Sequence, residues 1–300
     1  MPKLLASIFT ILLLFKNHPT LADTPLHELK LHTDSIDALC VKGHDIYTAS
    51  FDGRVKRTDL TTSEEVGHHD DWVRAILCVD DNQVTASNDG RIIVWHEKSI
   101  VSQVKAHDWW VTDLAYHHDN LLVSVSLDET VKVWSYPDLK LLYQHKLPGS
   151  YKHYSVTILG NYAYVGSTVT LSVLDLKKLA WRFVNLSYGT YDIFCSVTTD
   201  NSHVYFGDSA GNIHQFDAST MKSHKIVRTE KFAIKAMTMS KEFLYFGNDS
   251  GHIYRVRVPT FGQPELIHEQ KTAVRALTIS DNMLYAASDE GKLDVYPLTN

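Results

Sequence analysis

The sequence predicts an all-β chain built from seven like four-stranded antiparallel sheets. Three observations predict it. The stretch from His69 to Lys98 holds three short runs of strand character, VRAILCV, NQVTAS and RIIVW, separated by Asp80, Asp81, Asn82 and then by Asn88, Asp89, Gly90. Those separators are tight-turn residues, so the runs read as hairpin-linked strands. The stretch from His107 to Trp134 repeats the pattern: a Ser stands two residues before, and a Trp six after, each Asp, giving Ser87, Asp89, Trp95 and Ser126, Asp128, Trp134. The His precedes the Ser by 18 residues in one copy and 19 in the other. Finally, a turn signature recurs every 37 to 42 residues, at Asp52-Gly53, Asp89-Gly90, Asp128-Glu129, Thr168-Val169, Ala210-Gly211, Ser250-Gly251 and Glu290-Gly291. That spacing is close to the roughly 40 to 45 residues of a four-stranded repeat, and seven turns mean seven sheets.

Taken in order, the chain opens on Lys3 and an apolar run, LLASIFTILLLF, followed by a polar stretch ending Thr20, Leu21, Ala22. Small residues at the −3 and −1 sites predict a secretory signal peptide over residues 1–22, with a single domain over 23–300. The run is well short of the roughly 20 residues that span a bilayer, so no membrane span is expected once it is removed. Residues 26–31 alternate as a strand with no local partner, while the last repeat ends just past its third strand. Each leaves a sheet edge without a neighbour, at residues 26–31 and at the strand ending near Tyr296. No linker composition interrupts what lies between.

Composition excludes more than it selects. The 300 residues are 44% hydrophobic and 21% charged with net charge −6, a globular profile without the basic excess that phosphate neutralisation requires. Nucleic acid is therefore not an expected partner. Glycine-rich phosphate loops, paired cysteines at metal spacing and a nucleophile elbow are all missing from the sequence, so no enzyme, cofactor or metal site is expected. A Ser, His and Asp recurring together imitate a hydrolase triad, but recurrence in several copies points to structure. His68-His69 and His117-His118 are the notable histidine pairs, and adjacent side chains in a strand diverge unless a turn bends them together. Cys40, Cys78 and Cys195 read as small buried residues in separate repeats, with Cys195 aligned to Ala38 and Ala75. A bridge between Cys40 and Cys78 stays open as the alternative. Asn185 and Asn248 begin Asn-x-Ser triplets.

The His, Ser, Asp and Trp landmarks at this spacing resemble those of the WD-repeat β-propeller family, specifically in the first three repeats and by position in the rest. The resemblance implies a seven-bladed β-propeller whose N-terminal strand completes the last blade. It also implies a structural polar network of His32, Ser50 and Asp52, of His69, Ser87, Asp89 and Trp95, and of His107, Ser126, Asp128 and Trp134. There the Asp accepts from turn amides and the His ring, the His reaches the Ser hydroxyl, and the Ser accepts the indole N–H. The first repeat has Thr58 in place of Trp, and repeats four to seven keep the strands and mostly lose the polar set.

By the same resemblance, two rings of residues border the channel on the face most used for partners. One is Phe51, Asn88, Leu127, Ser209, Asp249 and Asp289; the other is Asp37, Arg74, Thr112, Val156, Phe194, Lys235 and Arg275. Asp37, Arg74 and Arg275 fall in consecutive blades, and a structural salt bridge and a binding role fit them equally. Trp72 and Trp110 align, and packing accounts for them. Trp109 is an added aromatic that either forms an apolar spot with Phe51 and Leu127 or folds over its own blade. The expected function is an exported, periplasmic or secreted, non-enzymatic and monomeric scaffold for a protein or peptide. Two alternatives remain open. One is an accessory of a periplasmic redox system such as nitrate reductase, since small exported proteins of this layout occur beside its components. The other is a small-molecule or metal binder using Asp37, Arg74, Lys235 and Arg275.

Overall fold

The computed structural model describes residues 24–146, 152–168, 170–185, 195–199, 202–229 and 232–298. The expectations for residues 1–22, for Val169 and for Phe194 lie outside them, as do those for the side chains of Asn185 and Cys195. Every regular element among the described residues is a strand, and the strands form seven four-stranded antiparallel sheets. No helix there is long and apolar enough to cross a membrane. The first strands, Ile36–Lys42, Val73–Val79, Val111–His117, His153–Leu159, Cys195–Thr199, Ile234–Met239 and Val274–Ser280, each lie beside the next, and the last lies beside the first. The architecture is a closed seven-bladed β-propeller.

Closure follows the register that the lone N-terminal strand requires. His27–Lys30 pairs antiparallel with Lys292–Pro297, His27 opposite Val295 and Lys30 opposite Lys292, so the seventh blade is built from both ends of the chain. Leu31, Ile36 and Ile46 then pack against Tyr285, Ala287, Leu293 and Val295, all buried. Full burial of side chains of this size contributes about 1.5–3 kcal/mol each. Sheets elsewhere meet closely enough to dictate composition: a Cβ on Gly67 would stand 2.5 Å from the Trp95 ring of the next blade. The recurring turns share a left-handed residue, Gly53, Gly90, Gly211, Gly251 and Gly291, with Glu129 (φ 69°) in the third blade.

The polar network differs from expectation in one member. His69 Nδ1 meets Asp89 at 3.0 Å, but its Nε2 meets Thr85, at 2.8 Å, and Trp95 Nε1–H donates to the same hydroxyl at 2.8 Å. In the third blade His107 joins Asp128 (2.9 Å) to Ser124 (2.8 Å), which accepts Trp134 Nε1–H at 2.8 Å. His32 likewise reaches Thr48 at 2.9 Å while holding Asp52 at 3.0 Å. Thr48, Thr85 and Ser124 thus replace Ser50, Ser87 and Ser126. Register explains the shift: Trp95 lies opposite Gln83, one diagonal step from Thr85 but two from Ser87, and Trp134 lies opposite Leu122 in the same relation to Ser124. Ser50, Ser87 and Ser126 cap the turn instead, accepting the amides of Asp52, Asp89 and Asp128 at 3.0–3.1 Å.

Burial pushes the Asp89 carboxyl up, but the His69 hydrogen bond and charge outweigh it and hold the group at about 2. Later blades replace the set rather than dispense with it. His214 of the fifth blade, stacked on Phe206 at 4.9 Å, meets Asp208 at 3.1 Å, and Gln270 donates to Asp294 at 2.8 Å in the seventh.

The expectation of separate thiols fails for Cys40 and Cys78, which form a disulfide. First strands of neighbouring blades converge on the axis, and here their Cα atoms come within 5.8 Å, inside the range of about 4.4–6.8 Å that a bridge accepts.

The network makes a quantitative prediction. Thr85→Val strands both His69 Nε2 and the Trp95 indole N–H and should destabilise by about 2–4 kcal/mol, whereas Ser87→Ala should cost about 0.5–1.5 kcal/mol. Urea unfolding of the two variants checks the ranking, which the original Ser assignment would reverse.

Candidate partner-binding face at the channel mouth

A bulge sets what lines the channel. Every first strand skips one residue in its pairing, as where Val73 faces Ser87 but Ala75 faces Ala86, leaving Arg74 unpaired. An extra residue of this kind bends the strand and re-aims a side chain. The skipped residues are Asp37, Arg74, Thr112, Tyr154, Ser196, Lys235 and Arg275. Tyr154 therefore holds the ring position assigned by sequence to Val156. Cys195 aligns with Val73 rather than with Ala75. The fourth repeat has neither the His from which that count starts nor a glycine in its turn at Thr168-Val169, so linear spacing misses the position by two residues. The described members Asp37, Arg74, Thr112, Tyr154, Lys235 and Arg275 line a central cavity of about 520 Å³.

The second ring, at the ends of the second strands, supplies partners to the first. Arg74 Nε–H donates to Asn88 at 3.0 Å and its Nη1 meets Asp37 of the preceding blade at 3.2 Å. Arg275 pairs with Asp289, which also accepts the Ser35 hydroxyl at 3.1 Å, and Lys235 stands 3.6 Å from Asp249. Burial pushes the Asp37 carboxyl above its ordinary range against the pull of Arg74 and Arg275. Burial lowers the Arg275 guanidinium, but Asp289 and Asp37 outweigh it and the net shift is upward.

Around Arg74 the structure assembles an aromatic row across three blades. Phe51 stacks on Trp72 with centroids 4.2 Å apart and planes 5° from parallel; Trp72 meets Trp110 at 6.2 Å, and Trp110 meets Trp109 at 5.8 Å. The Arg74 guanidinium lies 4.5 Å from the Phe51 centroid, 5.1 Å from Trp72 and 5.2 Å from Trp110. Trp109 remains 46% exposed, with Lys152 Nζ 5.7 Å above its ring. The spot composed from sequence as Trp109, Phe51 and Leu127 is rearranged. Leu127 is buried and so is Asn88, while Trp72, assigned to packing alone, is the ring on Phe51 and stays 38% exposed. Trp72 was legible only by placing the loop before one blade's first strand beside the turn of the previous blade. That neighbourhood is a property of the ring.

Two further groups belong to this description. Asp113 occupies a position held by Ala38, Ala75, Ala236 and Ala276 in other blades, and its carboxylate accepts the amides of Leu114 and, across the blade boundary, Val156, both at 2.8 Å. Burial pushes it up to about 7 against those two hydrogen bonds. His117, His118 and Asp119 bring ligand atoms within 4.8 Å of one another. The Asp119 amide donates to His117 Nδ1 at 3.2 Å, however, so that ring closes the turn between its blade's first two strands.

Asp113 gives a pH dependence with a definite sign. A carboxyl whose folded pKa is raised binds more protons folded than unfolded between about pH 4 and 7, so its contribution falls as pH rises through that window. Asp113→Asn should therefore gain thermal stability relative to the parent at pH 8 and lose that advantage at pH 4. Melting curves at the two pH values check it, and equal differences at both would remove the role assigned to burial.

The profile described as "WD domain, G-beta repeat" matches residues 61–96 and 98–135, the second and third repeats. The human kinesin-like protein KIF21A is 28% identical over 126 residues, which cover 39% of this chain and 8% of that protein. Mouse kinesin-like protein KIF21B is 27% identical over 113 residues, covering 35% and 7%. The chain thus spans less than a tenth of the length of these relatives. The crystal structure of the computationally designed Ika8 protein superposes with a TM-score of 0.67 over 92% of this chain and 100% of that one, at 19% identity, a likeness of fold. The matched repeats coincide with the blades that hold complete His, hydroxyl, Asp and Trp networks; those two blades are similar to WD repeats, and they sit inside a closed seven-bladed β-propeller.

Proposed function

We propose that this propeller is an exported, non-enzymatic scaffold that binds another protein or peptide through the channel mouth of its first three blades. The observation that carries the reading is the aromatic row: two tryptophans, Trp72 and Trp109, stay more than a third exposed beside a cation and a polar rim. Partly exposed aromatics next to Arg are the usual composition of interface anchors. The groups that imitate a catalytic triad support binding over catalysis. His69, Thr85, His107 and Ser124 are buried within their blades, where each is held by the others.

Export is supported by the composition of residues 1–22 and by the Cys40–Cys78 bridge, since disulfides persist in oxidising compartments.

Cross-linking and affinity capture from the native exported fraction, with the wild type and a Trp72→Ala, Trp109→Ala double variant, tests the face. A partner held by wild type and lost by the folded variant is expected; the same partner on both, or none on either, ends this reading. Export is checked separately by mass spectrometry of the protein recovered from its native source. The expected mature N-terminus is Asp23, with linked Cys40 and Cys78 peptides before reduction. An intact Met1 and free thiols would place the protein elsewhere.

A further inference from the structure

The aromatic row is already a set of cation seats. Arg74 lies over Phe51, Trp72 and Trp110, and Lys152, reaching in from the loop before the fourth blade, lies over Trp109. The face of an aromatic ring is negative, and both residual exposed surfaces, on Trp72 and Trp109, belong to rings that hold a cation in this way.

The loops that carry these rings are acidic. Asp34, Asp70, Asp71 and Asp108 are exposed, the last two immediately before Trp72 and Trp109. Among the described residues Asp70 meets Arg91 at 3.3 Å, but no ion pair engages Asp34, Asp71 or Asp108. One oxygen of Asp71 accepts the Trp72 amide at 2.7 Å, which holds the carboxylate against the backbone of that loop. Arg74 does not offset these charges, because Asp37 at 3.2 Å neutralises it toward the channel.

We propose that the mouth takes a Lys- or Arg-bearing segment of a partner protein, its cation seated on Trp109 and paired with Asp108 or Asp71. This rests on the protein-binding reading above and names the chemistry of the partner. A carboxylate that no ion pair neutralises, next in sequence to a partly exposed tryptophan, is complementary to a cation and repels an acidic segment, so the two together set specificity as well as attraction. Lys152 is then a tethered competitor. It occupies one face of Trp109 until a partner's cation displaces it.

The test uses the immobilised full chain and four libraries of eight-residue peptides, fixed at the central position as Arg, Lys, Glu or Leu and randomised elsewhere. At low salt the Arg and Lys libraries should be retained at least ten-fold over the Glu and Leu libraries. The Asp71→Asn, Asp108→Asn double variant, which changes two exposed side chains, should abolish the difference, and Lys152→Ala should raise retention of the Arg and Lys libraries several-fold. Equal or better retention of Glu or Leu peptides overturns the proposal. So does retention of basic peptides that is insensitive to Asp71 and Asp108, a Lys152→Ala variant that binds them no better, or no retention of any library. Retention of Glu or Leu peptides that is lost in the Trp72→Ala, Trp109→Ala variant would sink the cationic partner while leaving the protein-binding face standing.

Discussion

Pairing of His27–Lys30 with Lys292–Pro297 is the contact on which the rest of the molecule depends. Until it forms, the seventh sheet has an open edge and a line of blades has two ends, each with unsatisfied backbone groups. Adding one four-residue strand from the other end of the chain completes the sheet. It also brings Leu31, Ile36 and Ile46 onto the apolar face of the last blade. The hydrogen bonds fix register and the side chains supply most of the free energy, so neither alone would hold the ring. Once it is closed, seven first strands converge on one axis, and whatever their bulged residues carry must share a narrow channel.

That crowding explains the electrostatics of the mouth. Three of the six described channel positions are cationic, and each cation meets an acid or amide from the end of the second strand in its own blade: Arg74 with Asn88, Lys235 with Asp249, Arg275 with Asp289. Asp37 adds a contact across the blade boundary to Arg74. Charges partly buried near the axis are retained because they are paired, since an isolated one would carry its desolvation penalty. The loops that carry Trp72 and Trp109 differ, since among the described residues no ion pair engages Asp71 or Asp108.

The blades show how one requirement is met by different residues. A buried turn carboxylate needs a donor, supplied by a loop histidine in the first three blades and by His214 from within the sheet in the fifth. The repeat pattern fades in the later blades because the physical demand is for a satisfied polar group and a large ring at the sheet boundary, and His, Gln, Phe and Tyr meet it in several combinations. The Cys40–Cys78 bridge is a local addition of the same kind, joining two strands that the ring already brings together.

Repeat count, antiparallel strands, turn positions and the closing strand are legible in the sequence. Each rests on a period or on a local backbone preference, such as the left-handed residue at Gly53 or Gly90. It also named His69, Asp89, Trp95 and their counterparts, but chose Ser87 over Thr85, because the choice depends on cross-strand register, which a linear spacing does not contain. The tertiary structure decided what meets across blades. Trp72 lies on Phe51, Tyr154 rather than Val156 occupies the bulge, Cys40 reaches Cys78, and Asp113 is pressed against the amide of Val156. The contacts between blades join residues 21 to 43 positions apart, and their partners are set by how one sheet is rotated against the next, a quantity fixed only when the ring closes.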